Sequence, residues 1–229
     1  MTNPSRQDVW KMFDIISPTY DRINRILSLG MDQRWRKRVA EFLPERDHLK
    51  ILDLATGTGD QILALLNSKA SIHSIKGIDL STEMLELGKK KLGPRAQFIH
   101  ADAEKLPFKE KSFDAATFSF GIRNVGVPLN SLKEIYRVLT PKGRCLILEF
   151  SLPPKPIRGF FLFYLRHILP LIGGLLSRKH AAYRYLNQTI EHFPSGNEFC
   201  LLMKEAGFIR LKIIPMALGG VTLYVGDKA

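Results

Sequence analysis

A glycine-rich segment flanked by acidic residues is the strongest chemical feature of this sequence. It reads Asp-Leu-Ala-Thr-Gly-Thr-Gly-Asp and contains Asp53, Gly57, Thr58, Gly59 and Asp60. Glycine allows a sharp backbone turn and a close approach of a ligand, because no Cβ intrudes. The N–H groups at the start of a following helix can receive a carboxylate. The segment therefore predicts a small-molecule site.

The loop does not fit a nicotinamide cofactor. Dinucleotide sites carry the pattern Gly-x-Gly-x-x-Gly, but the third glycine position of this chain holds Ile62. Asp53 and Asp60 flank the loop, and two carboxylates suit a ligand with an ammonium and a sulfonium better than a ligand with phosphates. The loop therefore favours S-adenosylmethionine over a pyrophosphate cofactor.

Polar residues also end the next three apolar runs. Asp79 lies about 20 residues beyond the glycines, where a carboxylate can accept hydrogen bonds from both ribose hydroxyls. Asp102 and Ala103 follow the third run, where side chain and backbone can bind the adenine amino group and ring edge. Ser119 ends the fourth run. Ligands of open α/β sheets bind at the carboxyl ends of the strands, so these positions and Asp53 together predict a cofactor site.

Alternating apolar runs and helical patterns must position these residues. The runs cover residues 50–56, 74–79, 96–102, 113–120 and 143–151, with amphipathic segments between them. This alternation predicts a right-handed, doubly wound parallel sheet. Two further runs, 208–215 and 219–226, predict a terminal antiparallel hairpin that brings the sheet to seven strands.

We expect one domain over residues 1–229. Its predicted parts are an N-terminal helical cap (1–45), a cofactor-binding core (49–151), a helical insertion on the substrate side (152–207) and terminal strands (208–229). Within these parts, Ser81 is predicted to cap a helix, because its hydroxyl can accept a hydrogen bond from the first turn. Gly30 is expected to end the second helix, and Asp32 to cap the third.

Composition limits the class of protein and its partners. The net charge of +12 is compatible with nucleic acid, an anionic membrane or an acidic metabolite, while each local basic run, such as residues 34–38, is expected to be a solvated helix face. Cys145 and Cys200 lack metal-ligand spacing, so we predict neither a metal site nor a redox motif. Because the first residues lack the apolar run of a signal peptide, we expect a cytoplasmic protein.

Residues 157–176 form a very apolar segment between basic residues. Arg166, His167 and Pro170 interrupt it before about 20 apolar residues accumulate, so a transmembrane helix is not expected. The segment fits a buried helical insertion, and it also fits a cover at a membrane surface or an apolar substrate pocket.

Longer motifs extend through the chain: MFDIISPTYDRIN, DLATGTGD, DAEKLPF, SFGIRNV, RVLTPKGRCLILEFS, YRYLNQTIEHFP and MKEAGF. Through them the sequence resembles the ubiquinone/menaquinone biosynthesis C-methyltransferase family nearly from end to end. The resemblance implies a Rossmann-like class I S-adenosylmethionine-dependent methyltransferase fold with cofactor contacts at Thr58, Asp79, Asp102, Ala103 and Ser119. The implied reaction methylates a ring carbon of a polyprenylated quinol, either demethylmenaquinol or a benzoquinol precursor of ubiquinone. A lipophilic substrate and a basic surface together suggest peripheral contact with an anionic membrane.

Three positions depart from the family pattern and bear on the substrate side rather than on the loop. The segment Met31-Asp32-Gln33 lacks a usual histidine, Lys142 stands within a usual Pro-Gly-Gly, and Tyr224 replaces a common histidine.

The implied acceptor also suggests catalytic residues. A phenol with a pKa near 10 ionises little at neutral pH, so a base or a cation should help. We expect Arg123 to stabilise the phenolate and Asn124 to orient the ring oxygen; alternatively, Arg123 braces the loop by binding backbone carbonyls. Arg123 is not expected to be a simple base, because guanidinium rarely loses its proton. Tyr20 and His192 are weaker candidates.

Two other functions share part of the pattern. An RNA methyltransferase would use the same fold and suits the positive charge, but the SFGIRNV segment lacks an Asn/Asp-Pro-Pro-Tyr-like motif and a neighbouring cysteine. A non-catalytic cofactor- or lipid-binding module would not require the intact loop or the Arg123-Asn124 pair. We therefore expect a methyltransferase without a nucleic-acid partner.

Overall fold

Seven strands form one sheet in a computed structural model that describes residues 9–171 and 180–229, except for the side chains of residues 180–184. The strands are β1 (Leu49–Leu54), β2 (Ile72–Asp79), β3 (Gln97–His100), β4 (Phe113–Ser119), β5 (Leu139–Phe150), β6 (Ile209–Met216) and β7 (Val221–Asp227). Their spatial order is β3-β2-β1-β4-β5-β7-β6. Strands β1 to β5 are parallel, and β7 is antiparallel to both β5 and β6. The predicted sheet with its terminal hairpin is confirmed.

Parallel pairing brings the polar strand ends together. Strand β1 is buried at every position except Lys50, as expected for a parallel strand covered on both faces. In register, Asp53 pairs with Gly77 of β2 and with Thr117 of β4. The carboxyl ends of β1, β2 and β4 therefore lie side by side at one edge of the sheet.

Helices cover both faces of the sheet. They are α1 (Val9–Ile16), α2 (Tyr20–Leu27), α3 (Met31–Ala40), α4 (Asp60–Leu66), α5 (Thr82–Leu92), α6 (Pro128–Val138), α7 (Lys155–Phe163), α8 (His180–His192) and α9 (Asn197–Glu205). One buried cluster joins α6 and α9 to the sheet, and a second joins α3 and α4 to its other face. This two-sided burial explains why the central strands are almost continuously apolar.

Two of the three predicted helix ends need correction. Ser81 does cap α5, because its hydroxyl accepts a hydrogen bond from the N–H of Met84 at 3.2 Å. Helix α2 ends earlier than predicted: Ser28 is its C-cap, and Leu29 takes a left-handed φ of +52° before Gly30 donates its N–H to the Arg25 carbonyl. This is the Schellman arrangement, with leucine where glycine is usual.

Asp32 is not the cap of α3. The helix begins at Met31 with Gly30 before it, so Asp32 lies inside the first turn. Its carboxylate accepts hydrogen bonds from Ser28 and Arg25 instead. Lys142, which stands where the family pattern has glycine, has a φ of +61°, a conformation that favours glycine.

A third apolar cluster joins the N-terminal helices to the segment after β5. It comprises Ile23 of α2, Leu165 and Leu169 beyond α7, and Ile190 of α8. The Tyr164 hydroxyl donates to the Leu27 carbonyl at 2.9 Å, which fastens the two parts together. In the described part of the 157–176 segment, the helix continues past α7 through a wide turn at Tyr164–Ile168; residues 172–176 lie outside the described residues. Among the helices that are described, none is both long and apolar enough to cross a membrane.

Candidate active site

The glycine loop packs tightly against β2. Gly57 and Gly59 have φ angles of +55° and +80°, which glycine adopts without strain. The Gly57 N–H donates to Asp79 Oδ2 at 2.8 Å. A Cβ placed on Gly59 would lie 2.8 Å from the Leu92 side chain, and one on Gly77 would lie 2.8 Å from Thr56 Oγ1. The loop conformation and its close packing therefore both require glycine.

Asp53 supports the loop from beneath. Its side chain accepts hydrogen bonds from the Thr56 hydroxyl at 2.6 Å and the Thr117 hydroxyl at 2.5 Å. Burial raises the pKa of Asp53 to about 6, although both hydroxyl bonds favour the ionised form. Asp53 is 1% exposed and does not line the cavity next to the loop. The structure thus places it behind the predicted ligand position.

A charged cluster joins α2 to the loop. Lys91 Nζ lies 2.5 Å from Asp21 Oδ2, 2.9 Å from Asp60 Oδ1 and 2.8 Å from Thr58 Oγ1. The Thr58 hydroxyl in turn donates to Asp21 at 2.7 Å, while Arg25 binds Asp60 at 2.8 Å. Thr58, predicted as a cofactor contact, is therefore bonded to the helical cap, and this cluster holds α2 over the loop.

A cavity of about 600 Å³ lies beside the carboxyl ends of the parallel strands. The predicted residues that line it are Gly57, Asp79, Asp102, Ala103, Ser119 and Asn124. The helical cap contributes Trp10, Phe13 and Tyr20. Carboxylates come from Asp79, Asp102 and Glu104, and no lysine, arginine or histidine is found among its described lining residues. This chemistry suits a ligand that donates hydrogen bonds or carries positive charge, and it does not suit a pyrophosphate.

Asp79 is held in place by backbone donors. Its Oδ1 accepts from the Ser81 N–H at 2.9 Å, and its Oδ2 accepts from the Gly57 N–H. Burial raises the pKa of Asp79, while these backbone bonds oppose that effect. An ionised carboxylate has about four acceptor sites, so two hydroxyl donors can still be accommodated. Ser119 is oriented by a hydrogen bond from its hydroxyl to Gln61 Oε1 at 2.9 Å.

A second cavity of about 380 Å³ lies next to the first, and its charged lining residues include two arginines. Side chains from α1, α2, α3, α7 and α8 line it, and most of them are aliphatic or aromatic. Phe13, Tyr20 and Phe120 line both cavities. The molecule therefore has an acidic cavity and a more apolar cavity that meet at three aromatic rings.

Arg123 and Asn124 lie between the two cavities. Arg123 lines the apolar cavity and Asn124 lines the acidic one. Arg123 Nη1 donates to the Phe120 carbonyl at 2.6 Å and to Glu149 Oε1 at 2.7 Å. The bracing contact considered for Arg123 is thus present. Arg123 Nε and Asn124 Oδ1 are both buried without a hydrogen-bond partner among the described residues, which is unusual for a native fold unless a ligand or water completes them.

Sequence reasoning missed Glu149 and Arg36. Glu149 is fully buried, and burial raises its pKa while Arg123 opposes that effect. A lone acidic residue within the apolar run Cys-Leu-Ile-Leu-Glu-Phe is a signal that could have identified it. The basic run at residues 34–38 was predicted to be solvated, but Arg36 within it is 8% exposed and lines the apolar cavity. Its position on α3 turns it inward.

The remaining candidates lie in different places. Tyr20 lines both cavities, and burial raises the pKa of its hydroxyl. His192 is exposed and lines neither cavity, and its Nδ1 lies 2.8 Å from the Gln188 carbonyl oxygen. Tyr224 packs against Phe199 in the core, and its hydroxyl oxygen accepts the Gly196 N–H at 2.7 Å. The tyrosine at this departure from the family pattern is therefore part of the core packing. The part of the chain that the structure describes contains no cluster of potential metal ligands.

Comparison with known proteins gives the family. The sequence profile of the ubiE/COQ5 methyltransferase family matches residues 1–228. The chain belongs to the ubiE/COQ5 methyltransferase family. The resemblance predicted from the motifs is thereby confirmed, as is the prediction of a methyltransferase.

Relatives of this ubiE/COQ5 family member match along nearly their whole length. A protein of Geotalea uraniireducens named ubiquinone/menaquinone biosynthesis C-methyltransferase UbiE is 41% identical over 228 residues, which cover 97% of both chains. A demethylmenaquinone methyltransferase of Thermotoga maritima is 42% identical over 230 residues, which cover 99% of both chains.

A solved structure agrees with the fold of this family member. A candidate S-adenosyl-L-methionine-dependent methyltransferase from Methanococcus maripaludis superposes with a TM-score of 0.68, covering 95% of this chain and 94% of the other. The two sequences are 20% identical, so the likeness concerns the fold alone. It confirms the predicted Rossmann-like methyltransferase fold.

Proposed function

We propose that this ubiE/COQ5 family member transfers a methyl group from S-adenosylmethionine to a ring carbon of a polyprenylated quinol. The observation that carries the proposal is the meeting of an acidic cavity and an apolar cavity at Phe13, Tyr20 and Phe120. Methyl transfer requires the donor and acceptor to be held close together and aligned. Two adjoining cavities, one bordered by carboxylates and the other mostly apolar, provide that arrangement for a cationic donor and a lipophilic acceptor.

The acidic cavity fits S-adenosylmethionine. In the proposed complex, Asp79 accepts hydrogen bonds from the ribose hydroxyls, while Asp102 and the Ala103 backbone bind the adenine. Gly57 gives the ligand close access to the loop, because its missing Cβ would point into open space. Ser119 and Asn124 border the cavity toward the acceptor. Asp53, Thr58 and Gly59 support the loop itself.

The apolar cavity fits a quinol ring with the start of a prenyl chain. The name of the Geotalea relative refers to ubiquinone and menaquinone biosynthesis, and the name of the Thermotoga relative refers to demethylmenaquinone. These names support a quinol of either type as the acceptor. Phe120 and Phe150 have ring centroids 4.7 Å apart and form an aromatic wall of this cavity. Aromatic walls bind flat rings through offset or edge contacts.

The residues of the site prepare the acceptor for methylation. When bound, S-adenosylmethionine supplies a methyl group that its sulfonium activates. An acceptor hydroxyl gives its proton to water, and the oxygen electron pair then makes the adjacent ring carbon nucleophilic. The new carbon–carbon bond would form as the sulfur–methyl bond breaks, and S-adenosylhomocysteine would leave with the bonding electron pair on sulfur. The methylated carbon then loses its proton and the oxygen regains one, so one proton is released overall. Arg123 and Asn124 are proposed to act on the ring oxygen, directly or through water.

Methyl transfer to defined acceptors tests the proposal. Purified protein is incubated with methyl-labelled S-adenosylmethionine and a short-prenyl desmethyl naphthoquinol, a matching benzoquinol, the two oxidised quinones, or bulk RNA. We expect label in the ring of a reduced quinol and none in its quinone, because only the quinol can ionise at a ring hydroxyl. The favoured ring identifies the acceptor class. Label in RNA alone would contradict the quinol assignment and would support the RNA methyltransferase alternative.

We also propose that the protein binds the cytoplasmic surface of an anionic membrane. Phe160 and Phe163 on α7 are 81% and 57% exposed, although the neighbouring Phe161 lines the apolar cavity. Leu29 and Leu218, also beside cavity-lining residues, are 85% and 76% exposed. Exposed apolar groups next to a cavity for a lipophilic substrate suit delivery of that substrate from a bilayer. The net charge of +12 favours anionic headgroups.

Vesicle binding tests the membrane proposal. We expect the protein to cosediment with vesicles of phosphatidylcholine and phosphatidylglycerol more strongly than with phosphatidylcholine alone, and added salt should weaken the binding. Phe160→Asp should reduce binding by about tenfold, since it removes a large apolar side chain and adds a repelled charge. Leu201→Asp is the matched control, because Leu201 is 66% exposed on α9, away from the cavity. Equal loss in both variants, or no preference for anionic vesicles, would contradict the proposed surface.

A further inference from the structure

We infer that Arg36, in addition to Arg123, binds the ionised hydroxyl of the acceptor ring and supplies the larger share of the attraction, which makes it a further catalytic residue. The inference rests on the proposed function, because it assigns the acceptor to the apolar cavity. Arg36 lies on α3 and lines that cavity with only 8% of its surface exposed. Its neighbours in the basic run, Arg34, Lys37 and Arg38, are all exposed.

The charged groups of the apolar cavity differ in how they are neutralised. Asp32, Arg36 and Arg123 are the charged side chains among its described lining residues. Asp32 forms an ion pair with Arg25, and Arg123 forms one with Glu149 at 2.7 Å. Arg36 forms no ion pair with any carboxylate that the structure describes. Its Nε is also buried without a hydrogen-bond partner.

A buried guanidinium without a counter-ion is costly to the fold. Removing a charge from water is unfavourable unless a partner restores the lost interactions. The surroundings of Arg36 only partly do so, because its guanidinium carbon lies 5.2 Å from the centroid of the Phe120 ring. Its charge also lowers the pKa of Asp60 and opposes the burial that raises the pKa of Asp53, but neither carboxylate forms an ion pair with it. An anionic ligand oxygen in the cavity would supply the missing partner.

The position of Arg36 suits a ring oxygen near the methyl donor. The Phe120 ring beneath its guanidinium belongs to both cavities, so Arg36 is close to the boundary where donor and acceptor must meet. Arg123 is also near this boundary, but Glu149 compensates its charge. Arg36, which lacks a direct ion pair with any described carboxylate, therefore exerts the larger net attraction on a phenolate, and Arg123 holds the Phe120 carbonyl in place.

An ionisable chromophore tests this role without methyl transfer. The probe is 1-naphthol carrying one prenyl group, whose absorbance distinguishes the naphthol from the naphtholate. Its apparent pKa is measured by pH titration when bound to wild-type protein, Arg36→Met, Arg36→Lys, Arg123→Met and Arg34→Met. Arg123 is the other cation that lines the cavity, and its variant measures its share. The remaining titratable groups are unchanged throughout the series: Tyr20, Asp32, Tyr164 and Tyr185 in the lining, and Asp53 and Asp60, whose charges interact with Arg36. Arg34→Met is the matched control, because Arg34 is exposed on the same helix.

We expect the bound naphthol to have a pKa about 1 to 2 lower in wild-type protein than in Arg36→Met, because a nearby cation favours the anion. Arg36→Lys should retain part of the difference, and Arg34→Met should match the wild type. Binding of S-adenosylhomocysteine to Arg36→Met, measured by calorimetry, should stay within about twofold of the wild type if the fold is intact, because Arg36 does not line the acidic cavity.

The outcomes separate the inference from the proposed function. Equal pKa values of the bound probe in wild type and a folded Arg36→Met would overturn the role of Arg36 while leaving the acceptor cavity in place. Absence of probe binding to wild-type protein would overturn both. If the pKa of the bound probe rises in Arg123→Met but not in Arg36→Met, the phenolate is assigned to Arg123 instead.

Discussion

Replacement of Glu149 by glutamine is expected to lower the free energy of unfolding by about 3 to 5 kcal/mol, because it leaves a buried guanidinium without its counter-ion. Glu149 is fully buried and lies 2.7 Å from Arg123 Nη1. It also accepts the Phe150 N–H at 2.8 Å and the Arg123 N–H at 3.4 Å. The glutamine carbonyl oxygen can still accept the bonds from Arg123 Nη1 and the Phe150 N–H, which share Oε1. Its amide nitrogen cannot accept the Arg123 N–H, and the neutral amide no longer balances the guanidinium charge.

Urea unfolding of single and double variants measures this effect. In the double variant Arg123→Met, Glu149→Leu, most of the lost stability should return, because the pair is replaced by apolar groups. Glu86→Gln is the control for charge loss alone, since Glu86 pairs with Lys89 on an exposed helix surface; little change is expected there. A Glu149→Gln variant as stable as wild type would contradict the prediction and would show that Glu149 is uncharged in the native protein.

The same variants separate two roles of Arg123. The double variant should remain poorly active even where its stability recovers, because Phe120 loses the hydrogen bond to its carbonyl. Phe120 has a left-handed φ of +59°, a strained conformation for an aromatic residue. Full methyl transfer by the stable double variant would show that Arg123 contributes to folding alone.

Replacement of Asp79 by asparagine is expected to weaken S-adenosylmethionine binding by about 100-fold. The ionised carboxylate is proposed to accept two ribose hydroxyls, and hydrogen bonds to charged groups contribute about 1.5 to 3 kcal/mol each. A loss of about 2.7 kcal/mol corresponds to 100-fold in the dissociation constant. Because Asp79 also holds the Gly57 and Ser81 N–H groups, the amide must leave at least one donor without its acceptor.

Titration calorimetry with S-adenosylmethionine and S-adenosylhomocysteine measures the loss. Asp114→Asn is the matched control, because Asp114 lies near the start of β4, outside the cofactor cavity, and accepts the Lys50 N–H at 3.0 Å. Both ligands carry the ribose, so both should weaken equally in Asp79→Asn. An unchanged affinity in the folded variant would contradict the ribose contact, and an effect on S-adenosylmethionine alone would assign Asp79 to the sulfonium end.

Local patterns predicted the sheet and the cofactor side of the site. Apolar runs of strand length, separated by amphipathic segments, are sufficient to indicate a parallel sheet, because both periodicities arise within a few residues. Parallel strands then place Asp79 and Ser119 at the same edge of the sheet, whatever the order of the strands. The same reasoning placed Ser81 at its helix start, since a cap depends on neighbours three residues away.

The helix ends that were predicted incorrectly show where local rules compete. Gly30 is a strong stop signal, yet the chain reaches its left-handed turn one residue earlier, at Leu29. Leu29 remains 85% exposed there while also bordering the apolar cavity. Asp32 was then free to bind Arg25 and Ser28 within the first turn of α3 instead of capping it.

By itself the sequence determined the fold class, the family and the glycine loop, because these depend on residue types at short spacing. Only the tertiary structure decided that Asp53 lies beneath the loop, that Arg36 is buried within a basic run, and that Glu149 neutralises Arg123. The tertiary structure also creates the apolar cavity, because its walls come from helices that are far apart in the sequence. The physical reason is that burial and charge compensation depend on which distant elements pack against a side chain, and no short sequence window contains those partners.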